Sequence, residues 1–96
     1  MSVYDQMTVR IIREQELVIG PLAWTEAQKV EGLTVIDRRK REVQLTGEPK
    51  ETINRLVAQY ERLFGRVSHE TCKEAVVSLI AELSPAETPS SLLPSA

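Results

Sequence analysis

The sequence is organised around residues 49–83, PKETINRLVAQYERLFGRVSHETCKEAVVSLIAEL, which predict two amphipathic helices separated at Gly65. In each half, apolar side chains recur three or four residues apart, the spacing that lines one face of a helix. The first stripe comprises Ile53, Leu56, Val57, Tyr60, Leu63 and Phe64, and the second Cys72, Ala75, Val76, Leu79, Ile80 and Leu83. The residues N-terminal to this pair predict short strands, and we expect these strands to need the two stripes as a cover.

The boundaries of these two helices have local signals. Pro49 suits the first position of a helix, and Gly65 suits a helix end. Ser68 then predicts the N-cap of the second helix, with Val67 and Cys72 at the spacing of a hydrophobic staple.

The first two predicted strands lie near the start of the chain. Residues 8–12 and 16–19 are rich in β-branched side chains, and the polar residues 13–15 between them suit a hairpin loop. Leu17 and Ile19 would share one face of the second strand. Gly20 and Pro21 then stop the ladder, because proline has no N–H to donate.

The next segment predicts a short helix and a second hairpin. Residues 22–31 fit a helix closed by Gly32, with a loop, or a strand over 22–24, as the alternatives. Residues 33–36 and 42–46 alternate between apolar and polar side chains, as half-buried strands do. Asp37 can start the loop between them by accepting hydrogen bonds from its own backbone.

Together these elements predict an α+β fold of order ββαββαα. Two antiparallel hairpins would join in a four-stranded sheet, covered on one face by the C-terminal helical pair. Residues 1–84 would form the single domain, and residues 85–96, rich in proline and serine, a disordered tail whose only apolar spot is Leu92-Leu93. Aligning Val9 with Val35 suggests a duplicated ββα unit, although any two hairpin-helix units share such alternation.

Composition narrows the classes of protein. The chain has 96 residues, 42% hydrophobic and 27% charged, and a formal net charge of −2, all ordinary for a soluble domain. That charge argues mildly against a dedicated nucleic-acid binder. No apolar run is long enough to span a membrane, and the single cysteine fits a reducing compartment. We therefore expect a cytoplasmic protein without membrane association.

Two features are candidate binding sites. Arg38, Arg39, Lys40 and Arg41 form a basic loop that could contact phosphates or an acidic partner, or be an ordinary solvated loop. Trp24, the only tryptophan, would lie at the edge of the apolar stripe of the helix over 22–31. It would serve there either as an interface anchor or as a cover for the sheet edge.

Residues with catalytic chemistry are few. His69 and Cys72 lie three residues apart, but a zinc site needs about four ligands and a thiol nucleophile needs an oriented base. The spacing of Cys72 with Val76 places it in the core. The helix pair also resembles a helix-turn-helix, yet Glu70 and Glu74 on its second helix would repel phosphates.

The sequence therefore predicts no enzyme, catalytic residue, cofactor or metal site. We expect a small protein-interaction or regulatory module that binds a protein partner and could form a homodimer, since a small core with an open sheet edge gains from covering it. Nucleic-acid binding through the loop Arg38–Arg41 is the alternative.

Overall fold

A computed structural model of the chain describes residues 2–93. Within that range the elements are four helices, α1 (Val3–Ile19), α2 (Leu22–Ala27), α3 (Pro49–Phe64) and α4 (Arg66–Ile80), and one antiparallel pair, β1 (Leu33–Asp37) and β2 (Glu42–Leu45). Two short 3₁₀ turns, Pro85–Glu87 and Ser90–Leu92, follow. The prediction of a four-stranded sheet in the order ββαββαα is therefore wrong, and helices dominate the fold.

The error lies in the first hairpin, because residues 8–19 are helical. Ser2 Oγ accepts a hydrogen bond from Asp5 N at 3.1 Å and caps α1, and Gly20 closes it with a φ of 72°. Met7, Ile11 and Gln15 recur every four residues along the buried face. Packing of this face outweighs the modest helix propensity of the β-branched side chains.

The helix α1 lies antiparallel to α4. Gln15 Nε2 donates to Ser68 O at 2.9 Å, whereas Arg10 Nη1 donates to Ser78 Oγ at 3.0 Å. The stripes of α3 and α4 are thus covered by a helix. The prediction that a sheet packs on these stripes is therefore wrong, and the β1–β2 pair lies against α1 and α2 instead.

The helical pair itself is confirmed, with two boundaries different, since α4 ends at Ile80 and not near residue 84. The first helix begins at Pro49, where the Glu48 side chain accepts from Lys50 N, and ends at Gly65. Gly65 has a φ of 87°, and α4 begins at the next residue, so the predicted N-cap at Ser68 is wrong. Ser68 is buried inside the first turn, where its carbonyl receives the Gln15 amide.

The second hairpin is also confirmed. Leu33 pairs with Leu45 and Val35 with Val43, and the register is irregular between Val35 and Asp37. The helix before it, α2, is shorter than predicted, ending at Ala27 rather than near residue 31. Gly32 is required at the entry to β1, since its φ is 90° and an added Cβ would lie 2.7 Å from Thr52 Oγ1.

The core is mainly aliphatic, as the scarcity of aromatic residues indicates. Its buried hydrophobic side chains come from all four helices and both strands. They are Met7, Val9, Ile11, Ile12, Ala23, Trp24, Ala27, Val30, Leu33, Val43, Ile53, Leu56, Val57, Tyr60, Cys72, Val76, Leu79 and Leu92. Tyr60, at its centre, donates its hydroxyl to Ala23 O at 2.7 Å, which ties α3 to α2.

Residues 85–93, part of the predicted tail, lie against the helices. Thr88 and Leu92 are 5% and 2% exposed. The division into a domain over 1–84 and a disordered tail stays a prediction, and residues 94–96 lie outside the described residues. No described helix has the length and apolarity needed to cross a membrane.

Candidate interaction surfaces

The basic loop Arg38–Arg41 joins β1 to β2 at the surface. Asp37 Oδ1 accepts hydrogen bonds from Arg39 N at 2.9 Å and Lys40 N at 3.1 Å, which starts the turn as predicted. Arg41 completes it with a φ of 56°, a conformation that non-glycine residues rarely adopt. The loop geometry thus follows from backbone constraints that require no ligand.

The four basic side chains of this loop are exposed. Arg38 Nη2 donates to the carbonyl of Pro21 at 3.3 Å, which links the loop to the start of α2. Within residues 2–93, no ion pair of 4 Å or less involves Arg38, Arg39, Lys40 or Arg41. The loop therefore presents a local positive charge on a chain that is slightly acidic overall.

Trp24 is buried in the core and not at a rim. Its side chain is 1% exposed, and its indole Nε1 donates to Glu16 Oε2 at 3.0 Å across the α1–α2 corner. Both the apolar body and the polar atom of the side chain thus have partners within the chain. Trp24 offers no surface to a partner in this conformation.

Cys72 is also a core residue, as its spacing predicts. Its Sγ accepts from Gln15 Nε2 at 3.4 Å, and burial raises the pKa of the thiol to about 11. His69, three residues before it, instead contacts Glu61 and Ser91. The structure thus does not bring the two residues together as a nucleophile and a base. Among residues 2–93, no group of three or more His, Cys, Asp or Glu side chains is placed to hold a metal ion.

The carboxylate of Glu26 joins α2 to α3 through hydrogen bonds. Glu26 Oε2 accepts from Lys29 Nζ at 3.0 Å, and its Oε1 accepts from Gln59 Nε2 at 2.8 Å. Both hydrogen bonds lower the pKa of Glu26, and the one from Lys29 has the larger effect. These contacts give the carboxylate a structural role in holding the two helices together.

The most elaborate polar contacts hold the C-terminal segment, residues 84–93. Tyr4 OH donates to Glu87 O at 2.6 Å, and Lys50 Nζ donates to Ala86 O at 2.8 Å. Asn54 Oδ1 accepts from both Ser91 N at 3.0 Å and Ser91 Oγ at 2.6 Å. Side chains from α1 and α3 thus hydrogen-bond the segment, mostly at its main-chain atoms.

His69 completes this set of contacts from α4. Its Nδ1 lies 2.7 Å from Glu61 Oε2, and its Nε2 lies 2.6 Å from Ser91 O. We call the surface formed by Tyr4, Lys50, Asn54 and His69 the tail groove.

A third surface lies where α1 ends and α3 turns into α4. Leu17, Val18 and Val67 are 80%, 71% and 76% exposed, and Leu63 is 41% exposed. The hydrogen bond from Gln15 to Ser68 places the end of α1, where Leu17 and Val18 lie, beside the start of α4. Val67 lies at that start, and Leu63 lies in the last turn of α3, which Gly65 joins to α4. We call Leu17, Val18, Leu63 and Val67 the apolar end.

Other surface features carry less chemistry. A shallow depression between α1 and α4 is lined by Arg10, Arg13, Glu14 and Ala75. Its lining combines both signs of charge, and Arg10 is already bonded to Ser78. This depression has no convergent set of polar groups of the kind that ligand pockets use.

No protein-family model, curated protein or solved structure matches the chain. The surfaces above are therefore interpreted from their own geometry.

The tail groove and the apolar end were not predicted from the sequence. The only signal for the groove was Leu92-Leu93, the apolar spot in the tail, because Asn54 and His69 look like ordinary polar helix residues. The apolar end was missed because the sequence predicts Leu17 in a strand, on the same face as Ile19. A helical period over residues 3–19 would have placed Leu17 opposite the buried face.

Proposed function

We propose that the protein is a small non-catalytic interaction or regulatory module that acts by binding another protein. The apolar end carries this proposal, because three of its aliphatic side chains are each more than 70% exposed at one end of the bundle. Fully covering a side chain of this size contributes roughly 1.5–3 kcal/mol. Grouped exposed apolar residues of this kind are typical of protein–protein contact sites.

A protein partner suits this surface better than a small molecule does. The residues lie on helix ends and project outward, whereas small-molecule sites are concave. A second copy of the chain is one such partner, because a two-fold axis would bring the same aliphatic patch against itself. A homodimer is thus the simplest form of the proposed complex.

The test compares two variants in affinity capture from native lysate, with analytical ultracentrifugation of each pure protein. Val18→Glu/Val67→Glu puts charge into the apolar end, and Val77→Glu is the matched control, since Val77 is 66% exposed near the other end of α4. We expect wild type and the control to retain the same partner or dimerise, and the double variant to lose it. Identical behaviour of all three proteins, or no association by any, contradicts the proposal.

Nucleic-acid binding through the basic loop is the second candidate function. Four exposed basic side chains without ion-pair partners in the described chain favour it. Its signature is an affinity that falls steeply as the salt concentration rises, because bound cations displace counterions from phosphates.

This second candidate is tested by titrating labelled single-stranded and duplex oligonucleotides at two salt concentrations. Replacing Arg38, Arg39, Lys40 and Arg41 with Ser should abolish the binding. Nuclease treatment before affinity capture separates the two functions, since a protein partner bound at the apolar end survives it. Unchanged oligonucleotide binding by the loop variant would exclude the loop as the contact.

A further inference from the structure

We infer that the tail groove is a peptide-binding site, occupied in this conformation by the chain's own residues 84–93. We further infer that it accepts a proline-flanked Ser-Ser-Leu segment of a partner protein in their place. This inference rests on the proposed function, because it names a partner chemistry for an interaction module. It uses residues other than those of the apolar end.

The first argument is that the groove contacts its occupant mainly through the main chain. Ala86 O, Glu87 O, Ser91 N and Ser91 O each have a partner side chain on the helices. Such contacts give affinity for an extended peptide irrespective of most of its side chains. A segment from another protein can offer the same four main-chain atoms.

The second argument is that the partners come from three helices. Tyr4 lies on α1, Lys50 and Asn54 lie on α3, and His69 lies on α4. Glu61 holds His69 from α3, so the ring that contacts Ser91 O is oriented by a group outside the segment. The groove is therefore built by the folded body, as a preformed binding site is.

The third argument concerns which side chains the groove recognises. Asn54 contacts both serines, since its Nδ2 donates to Ser90 Oγ at 3.2 Å and its Oδ1 accepts from Ser91 Oγ at 2.6 Å. Leu92 then enters the core and is 2% exposed. The buried Pro89 precedes them and restricts the backbone to an extended conformation. Together these preferences define the Pro-Ser-Ser-Leu chemistry of the partner segment.

The fourth argument is that the resident segment can be exchanged. It forms only two short 3₁₀ turns and pairs with no strand or helix of the body through backbone hydrogen bonds. Residues 81–83 link it to the end of α4, which keeps it near the groove at an effective concentration of order millimolar. A partner segment must therefore compete with it, so the tail sets a threshold for binding.

The test measures binding of a fluorescein-labelled peptide of residues 84–93 to full-length proteins. Leu92→Asp should release the resident segment, because an aspartate is disfavoured in the apolar site. We expect this variant to bind the peptide at least about tenfold more tightly than wild type does. Val77→Asp, the same kind of change at an exposed site of α4, should bind as wild type does.

Two further proteins identify the site. Adding Asn54→Ala to Leu92→Asp should weaken peptide binding by about tenfold, because the contacts to both serines are lost. Val18→Glu/Val67→Glu should bind the peptide as wild type does, so a failure of the apolar-end proposal remains distinguishable from a failure of this one. Equal binding by wild type and a folded Leu92→Asp variant overturns the inference.

A measurement on the unmodified protein covers the case in which Leu92→Asp does not fold. Unlabelled peptide is titrated into ¹⁵N-labelled wild type to several millimolar, above the effective concentration of the resident segment. We expect the amide signals of Thr88 and of residues 90–92 to move toward those of a released chain, while the Asn54 side-chain amide keeps its bound shift. Unchanged signals for Thr88 and residues 90–92 overturn the inference.

Discussion

Residues 8–19 and 33–45 have similar patterns of apolar and polar side chains, yet the first segment lies within α1 and the second is the β1–β2 hairpin. The difference lies at their ends and centres. The hairpin is bounded by Gly32 and Gly47, both with positive φ, and Asp37 organises its loop. The first segment has no glycine, proline or aspartate between Met7 and Gly20. Its polar centre continues the helix.

This comparison shows that alternation alone does not distinguish a short strand from a turn of helix. In residues 3–19, Met7, Ile11 and Gln15 also satisfy the spacing of a helix face, and a capping serine precedes them. Where both periods fit, the presence or absence of turn residues decides between them. Two of the following predictions use positions that are equivalent when Val9 is aligned with Val35, and the other two concern elements that pack against or follow the first segment.

The largest expected effect is that of proline at the centre of each segment. Arg13→Pro removes a hydrogen bond inside α1 and clashes with the preceding turn, so we expect a loss of about 3 kcal/mol or more in the free energy of unfolding. The equivalent Arg39→Pro removes only the hydrogen bond from Arg39 N to Asp37 Oδ1, a loss of about 1 kcal/mol. Chemical denaturation followed by circular dichroism measures both. Equal losses would contradict a helix over residues 8–19.

The second prediction concerns Cys72, which is buried in the core and whose Sγ accepts a hydrogen bond from Gln15 on α1. Burial raises the pKa of its thiol from 9.0 to about 11, so the thiolate fraction at neutral pH falls about 100-fold. We expect a thiol reagent to react at least that much more slowly with the folded protein than with the protein in guanidinium chloride.

Gln15→Ala provides the comparison for this measurement. It removes the amide nitrogen that lies 3.4 Å from the sulfur. The hydrogen bond from this nitrogen lowers the pKa of the thiol, so its loss alone favours the unreactive neutral thiol. We expect the improved access of the reagent to outweigh this effect and to accelerate the reaction of the folded protein. A wild-type rate equal to that of the unfolded chain would show that α1 does not lie on α4 as described.

The third prediction uses glycine, which should act in opposite directions at two equivalent positions. Gln15→Gly places a poor helix former in α1 and removes the contacts to Ser68 and Cys72, so we expect a loss of about 2 kcal/mol. Arg41 has a φ of 56°, which glycine adopts without strain, so Arg41→Gly should gain up to about 1 kcal/mol. Denaturant midpoints measure both. A loss at both positions would contradict the positive φ of Arg41.

The smallest expected effect is at α2, the helix that follows the first segment. The hydrogen bonds from Lys29 and Gln59 lower the pKa of Glu26 in the folded state below its ordinary value of 4.5. The carboxylate therefore stabilises the fold above that pH, and this stability is lost as the pH falls through the folded-state pKa.

The measurement is the change in melting temperature between pH 7 and pH 3. We expect Glu26→Gln to show a smaller change than wild type, because it lacks the carboxylate whose protonation costs stability. Glu31→Gln, at an exposed position, is the matched control and should behave as wild type does. An unaltered change in Glu26→Gln would mean that the carboxylate contributes nothing through these contacts.

Much of the fold from residue 32 onward could be predicted from local patterns. The stripes of α3 and α4 are long and unambiguous, Pro49 and Gly65 mark their boundaries, and the β1–β2 hairpin has clean alternation and a turn-forming Asp37. Residues 3–19 could not be predicted in this way, because their apolar side chains fit both the period of a strand and that of a helix. Packing against α4 decides between the two. The predicted N-cap at Ser68 is wrong because Gly65 by itself ends α3, and α4 begins at the residue that follows it.

The candidate sites were less predictable than the fold. The exposure of the basic loop follows from its charge. The burial of Trp24 does not follow from a local pattern, because its indole donates to Glu16 on α1, where the sequence predicts a strand. The tail groove joins residues more than 20 positions apart, such as His69 and Ser91. No local pattern encodes such a contact.

The sequence by itself determined the paired C-terminal helices, the second hairpin and the aliphatic character of the core. These features depend on side-chain period and on the backbone preferences of glycine, proline and aspartate, which act over a few residues. Only the tertiary structure decided that residues 3–19 form a helix, that Trp24 is buried and that Leu92 enters the core. Each of these outcomes depends on covering apolar surface that distant segments supply, and that gain exists only once the segments have come together.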